Sequence, residues 1–189
     1  MTSAEEKRCC FLIAMPQLQD PNFFQTTTLL SAFTKDGAMG VILNRPLNVS
    51  VKEILGDSSP LKVESTLKVY WGGPVENQRG WIVHEDTAMA AQSMELEAGL
   101  YLSSSTEVWK KMIESGKNPG GPRYRFFLGY SGWGPGQLER EIAGSSWVTA
   151  PLSRDLIFDG TPHTLWVRSL RSIGVDPATL AATPQTEAN

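Results

Sequence analysis

A chain of 189 residues has the size of one large domain or two small ones, and it is long enough to bury about 70% of its unfolded surface without a metal or disulfide staple. Hydrophobic residues at 41% and charged residues at 20% exclude global disorder, and 17 glycines with 12 prolines fall short of a low-complexity chain. Lys and Arg number 17 against 20 Asp and Glu, so the net charge of −3 lacks the basic excess that drives sequence-independent nucleic-acid binding.

Residues 1–8 are polar and read as a frayed start. The two cysteines, Cys9 and Cys10, are adjacent and lead into the apolar run 11–15. Strand neighbours point to opposite faces, so the pair is not expected to bridge. With no other cysteine in the chain, a reducing, cytoplasmic setting is expected, with both thiols free and at least one buried. Glu5 and Glu6 spoil a signal peptide's basic start, and no apolar stretch approaches the ~20 residues of a membrane span.

Residues 9–15 read as a buried strand closed by Pro16, and Asp20-Pro21-Asn22 as a turn. Two strand-like runs, 26–34 and 38–44, flank Lys35-Asp36-Gly37, a hairpin signal in which the glycine supplies positive φ. Pro46 ends the hairpin, and Ser50-Val51-Lys52-Glu53 is a capping box for a short helix that Gly56 stops. Strands are expected at 67–71, 80–84 and 99–103. A second capping box, Ser104 to Glu107, opens a helix packed by Val108, Trp109, Met112 and Ile113 and ending near Gly116. Residues 118–122 read as loop and 124–130 as a strand. Gly134-Pro135 then starts a helix with proline at its first position, Leu138 and Ile142 facing inward. A strand at 147–150 and a helix from Pro162 to a Gly174 stop follow, the helix packed by Leu165, Trp166, Leu170 and Ile173. Asp176-Pro177 caps one further turn, and 182–189 is a polar tail. The simplest reading is one α+β domain over 9–181.

The densest local signal is the stretch from Gly129 through Ser131 to Glu139, read as strand, glycine-rich turn and helix start. Gly132, Gly134 and Gly136 leave the backbone approachable, Trp133 can cover one side, and the amides of Gly134, Gly136, Gln137 and Leu138 face an anion at the positive end of a helix. The plainer alternative is that these glycines only turn the chain. Two further strand ends stand out. Asn44-Arg45-Pro46 holds an arginine on extended backbone, and Trp71-Gly72-Gly73-Pro74 is a tight exit. If all three meet, they outline an aromatic-walled cleft with one guanidinium. If they do not, Arg45 simply pairs with Glu139 or Glu141.

Enzyme signatures are weak. Gly129-x-Ser131 begins like a hydrolase elbow, but Trp133 stands where the closing glycine belongs. A triad of Ser131 with Asp155 or Asp159 and His163 has the hydrolase chain order. His84, the other histidine, ends a strand beside Glu85 and Asp86. There is no P-loop, dinucleotide fingerprint or zinc spacing, so no cofactor or metal is expected. Arg123 with Arg125, and Arg168 with Arg171, read as solvated faces or ion pairs rather than a phosphate track.

The runs Phe11-Leu12-Ile13-Ala14-Met15-Pro16 and Gly37-Ala38-Met39-Gly40-Val41-Ile42-Leu43-Asn44-Arg45-Pro46 resemble the YqgE/AlgH family of bacterial proteins. So do Gly72-Gly73-Pro74-Val75 and the segment 129–142. The resemblance runs from about Cys9 to Leu180 in the family's order and spacing. It implies a single compact α+β domain with a β-rich, partly barrel-like mixed sheet surrounded by helices. It also implies a cytosolic bacterial protein of a family without an established biochemical activity, some of whose members are labelled transcriptional regulators through a genetic link to alginate production. Two departures matter. Ala182-Thr183-Pro184-Gln185 replaces the family's Gly-His-Ala ending, and Ala32-Phe33-Thr34 replaces an acidic residue and a histidine. Chemistry that needs either histidine has no counterpart here.

The favoured expectation is a non-enzymatic regulatory or binding protein taking a small anion or a protein partner, without membrane or direct nucleic-acid binding. Its candidate ligand residues are Asn44, Arg45, Gly72, Gly73, Gly132, Trp133, Gly134, Gly136 and Gln137. The alternatives are a hydrolase using Ser131 and a direct DNA-binding regulator.

Overall fold

The computed structural model describes residues 9–56, 67–115 and 120–181. In chain order these form β1 (Cys10–Ala14), β2 (Thr27–Thr34), β3 (Gly37–Ile42), β4 (Pro46–Ser50), α1 (Val51–Leu55), β5 (Lys68–Trp71), β6 (Val75–His84) and a 3-10 segment (Thr87–Gln92). There follow β7 (Met94–Glu97), β8 (Leu100–Ser103), α2 (Thr106–Ser115), β9 (Tyr124–Trp133), α3 (Gln137–Ala143), β10 (Trp147–Ala150), α4 (Arg154–Phe158), α5 (Pro162–Ser172) and α6 (Pro177–Ala181).

The strands make one sheet in the order β10-β1-β2-β3-β9-β6-β8-β7, with β5 beside β9 and β4 beside β5. Only β5 and β9 pair in parallel, Val69–Trp71 against Phe126–Leu128; the other pairs are antiparallel. Helices cover the sheet on both sides, which makes a single α+β domain as expected. The sheet stays open: its path ends at β10 and β7 without a pairing between them among the described residues, so the barrel-like curl does not close.

Covered faces explain why β1 is apolar throughout instead of alternating. Phe11 and Ile13 join a core with Leu165, Trp166 and Leu170 of α5. Leu12 and Ala14 face the opposite core, with Leu138 of α3, Trp133 and Trp147. A third core lies under α2, where Val108, Met112 and Ile113 meet Val69, Ile82 and Phe126. The β2–β3 hairpin forms with Gly37 at φ 136°, and Ser50 and Glu53 complete the capping box of α1.

Several expectations are corrected. β9 continues past the expected end at Tyr130 through Trp133, so Ser131, Gly132 and Trp133 are strand rather than turn. The cause is β3, which pairs Ala38 with Trp133 and Gly40 with Ser131. α3 therefore starts later, at Gln137, with Gly136 left-handed at the cap and Pro135 outside the helix. β6 begins five residues before Gly80, at Val75. β4, β7, α4 and the 3-10 segment were not read from the sequence; each is four to six residues long, too short for a periodic signal. α2 starts at Thr106, so Ser104 lies outside the cap and its hydroxyl accepts from Arg79. Trp109 and Ile142 are half-buried instead of buried, because one lies over Gly80 near the surface and the other walls an open groove. Neither cysteine is in a disulfide, and both are half-exposed, so the expected buried cysteine is not found. They do face different cores. The expectations at residues 1–8, Gly116, Asn118 and 182–189 lie outside the described residues.

Gly73 and Gly129 are required by contact as well as conformation, and Gly72 by contact. A Cβ on Gly73 would sit 2.3 Å from Tyr130 C and 2.4 Å from Ser131 N, and one on Gly72 would sit 2.3 Å from the Gly129 carbonyl oxygen. The β5–β6 link thus lies directly on the backbone of β9.

Candidate functional site

Arg45 leaves β3 on backbone that Pro46 keeps extended, and its carbonyl accepts from the Trp71 N–H at 2.7 Å. Two of the three strand exits therefore meet. The third does not: Trp133 pairs with Ala38 at the start of β3, while Arg45 follows the end of that strand, a separation of roughly 20 Å at ~3.3 Å per residue. Neither Glu139 nor Glu141 takes the guanidinium. Glu141 instead accepts from Trp133 Nε1 at 3.0 Å, Trp147 Nε1 at 2.8 Å and Gln137 Nε2 at 2.8 Å.

The Arg45 side chain lies in a cleft of about 330 Å³ between the chain entering β2 and the first turns of α5. Phe24, Gln25, His163 and Trp166 are among its walls. The guanidinium is half-buried and donates to the Phe24 carbonyl; among the described residues it meets no carboxylate. Burial lowers its pKa from the usual arginine value, the mark of a cation partly stripped of water.

Hydrogen bonds fix the walls. Asn44, only 7% exposed, accepts from the Thr27 N–H at 3.0 Å and donates to the Gln25 carbonyl at 2.9 Å. This holds Gln25 at φ 53°, a conformation that costs a non-glycine residue about 1–3 kcal/mol. Thr27 Oγ1 bonds Ser169 Oγ at 3.1 Å, and Trp166 Nε1 donates to the Ala14 carbonyl at 2.8 Å, so α5 is tied to both β2 and β1. The first turn of α5 carries Pro162 and His163, no acidic residue and no side-chain cap bond from Thr161.

The remaining predicted ligand residues lie elsewhere. Gly72 and Gly73 are packed on β9, so the approach their missing side chains allow is taken by the chain itself. Trp133 is buried, in ring contact with Phe23 and Trp147. At the start of α3, the Gly134 N–H donates to Gln137 Oε1 at 3.0 Å and the Gln137 N–H to the Gly134 carbonyl at 3.0 Å, so two of the four expected donors are used internally. Gly132 and Gly134 are exposed and Gly136 partly so. An apolar groove of about 600 Å³ runs nearby between α3 and β10, walled by Phe33, Ile142 and Pro151, without any of the predicted residues.

The triad is not assembled. Ser131 is fully buried in β9 and its hydroxyl donates to the Gly72 carbonyl at 3.1 Å. Asp155 and Asp159 face Arg123, which also pairs with Glu85 at 2.9 Å. Glu85 also takes Arg154, and its carboxyl is held below the usual range by the Arg123 hydrogen bond first. This cluster fastens α4 to β6 and β9. Arg125, expected in solvent or an ion pair, is 7% exposed: it lies over the Tyr70 ring at 3.9 Å and donates to the Ile157 carbonyl at 2.6 Å. Residues 168 and 171 are solvated, as read.

His84 is buried against Tyr101, its Nδ1 accepting from the Asp86 N–H at 3.3 Å and its Nε2 2.8 Å from Ser93 Oγ. Ser93 Oγ donates onward to the Met89 carbonyl, so the consistent ring is neutral with the proton on Nε2. Burial lowers its pKa, partly offset by Asp86. Among the described residues no group of three or more His, Cys, Asp or Glu gathers as a metal site, and no helix is long and apolar enough to cross a membrane.

Sequence reasoning reached Asn44 and Arg45 and missed Phe24 and Gln25; it weighed His163 only as a base and Trp166 only as core. The one local hint was the Phe23-Phe24 pair after the 20–22 turn, whose second ring is exposed.

The sequence model of the AlgH-like family matches residues 11–178. A UPF0301 protein of Myxococcus xanthus is 41% identical over 174 residues, covering 89% of this chain and 92% of the relative. One of Methylococcus capsulatus is 39% identical over 175 residues, covering 91% and 92%. The solution structure of the AlgH protein from Pseudomonas aeruginosa superposes with a TM-score of 0.76 at 33% identity, covering 97% of both chains. A crystal structure of a Corynebacterium diphtheriae protein at 22% identity, TM-score 0.70, covering 97% of this chain and 95% of that one, shares the fold. With the family model spanning most of the chain and the curated relatives covered almost end to end, the chain belongs to the AlgH-like family.

Proposed function

We propose that this chain is a non-catalytic, cytoplasmic binding protein that takes a small anion in the Arg45 cleft. The observation that carries the reading is a half-buried guanidinium, partly stripped of water, that opens on a cleft and, among the described residues, meets a backbone carbonyl and no carboxylate. Desolvating a cation without a carboxylate is costly, and an incoming anion offsets that cost with charge-assisted hydrogen bonds. His163 and the uncapped start of α5 add donors on the facing wall. A binding role is favoured over a hydrolase by the burial of Ser131, and two half-exposed cysteines outside any disulfide suit a reducing compartment. A regulator label in the family accords with a ligand-responsive protein, and the chain's net charge of −3 weighs against direct DNA contact.

The test is amide NMR of the full chain titrated with phosphate, sulfate and acetate. Shifts are expected at Gln25, Arg45 and His163, and Arg45→Ala removes them without shifting Gly134 or Gly136. Saturable shifts confined to Gly134–Gln137 would place the anion at α3 instead, and no saturable shift anywhere would end the reading.

A further inference from the structure

The cleft is larger than the anion its guanidinium calls for. At about 330 Å³ it lies at the low end of pockets that enclose whole organic molecules, which run to roughly 300–1,000 Å³. Its chemistry is divided. Arg45 and His163 supply the cationic and donor groups, while Phe24, Val167 and Trp166 supply apolar wall. Trp166 has its N–H committed to the Ala14 carbonyl, so it offers the cleft apolar surface rather than a donor.

Phe24 is the informative member. It is 40% exposed, one of the few large apolar side chains left in solvent among the described residues. Its place is fixed on both sides. Its own carbonyl accepts from Arg45, and the next residue, Gln25, is held at positive φ by the buried Asn44 amide. A phenyl ring kept in water on a backbone this constrained is a preset surface for another flat ring, since ring faces stack with little further loss of freedom.

We infer, resting on the anion reading above, that the ligand is a phosphate monoester bearing a flat heteroaromatic ring, a nucleoside monophosphate in chemical class. The phosphate sits on Arg45, whose planar fork keeps donors beyond the one given to Phe24, and on the His163 wall. The ring lies on Phe24. Arg45 and Phe24 thus read the two ends of one molecule, and the Arg45–Phe24 bond sets their spacing.

The experiment is calorimetric titration of the full chain with AMP, UMP, ribose 5-phosphate and inorganic phosphate. AMP is expected to bind about ten-fold tighter than ribose 5-phosphate, with inorganic phosphate weakest, as one stacked base predicts. Phe24→Ala keeps the backbone carbonyl that anchors Arg45. It should bring AMP down to the ribose 5-phosphate affinity and leave inorganic phosphate unchanged, and Phe24→Tyr should restore the AMP preference. If AMP and inorganic phosphate bind wild-type protein equally, the ring seat is overturned while the anion reading stands. An AMP preference that survives in Phe24→Ala overturns the Phe24 seat alone, and no binding of any phosphate overturns both readings.

Discussion

Replacing Gly73 by alanine tests the contact that joins the two halves of the sheet. Gly73 has φ 148°, and an added Cβ would lie 2.3 Å from Tyr130 C and 2.4 Å from Ser131 N and Oγ. Those backbone atoms belong to β9, which is paired with β3 and β6, so they cannot recede without opening the sheet. Two costs add: about 1–3 kcal/mol for the backbone conformation and about 1–3 kcal/mol for overpacking. Gly174→Ala is the control, with φ 78° and nothing within 4 Å of the new Cβ, so it pays only the first cost. Urea unfolding followed by Trp fluorescence should place Gly73→Ala below Gly174→Ala by about 1–3 kcal/mol. In thermal unfolding that difference is roughly 2–12 °C for a chain of this length, at ~2–4 °C per kcal/mol. Equal losses within about 0.5 kcal/mol would refute the close approach of the β5–β6 link to β9.

Two further outcomes are expected. Leu138→Ala empties a fully buried position between α3 and the sheet and should cost ~2–5 kcal/mol by denaturant unfolding; a loss under about 1 kcal/mol would show that α3 packs otherwise. His84 is held neutral by burial, so its folded pKa lies below the unfolded value of about 6.5. The unfolded chain then binds more protons in that window, so this contribution is intact above the ordinary histidine range and lost as pH falls through it toward the folded value. Ring ¹⁵N NMR should show the Nε2–H form and a midpoint below the ordinary range; a midpoint at or above it would overturn the buried, neutral assignment.

The sequence by itself determined the elements whose signals are local. Cys10–Ala14, the hairpin turning at Gly37, the Ser50–Glu53 capping box and α5 from Pro162 to the Gly174 stop all rest on neighbouring residues, and all formed as read. So did the resemblance, because the motifs are contiguous runs. It went wrong where a local signal had two meanings. Gly132 and Gly134 read as a turn, yet β3 supplies a partner that keeps Gly132 in a strand. Gly72 and Gly73 read as room for a ligand, and the chain's own backbone fills it. The burial of Arg125 and Ser131, the half-exposure of both cysteines and the parting of Arg45 from the 132–137 turn were decided by strand order, which no single segment encodes. The cleft itself belongs to the tertiary structure alone. Phe24, Arg45 and His163 come from three distant segments, and each is unremarkable until pairing of β2 with β3 and docking of α5 bring them to one wall, where burial of a cation first acquires a cost that a ligand can offset.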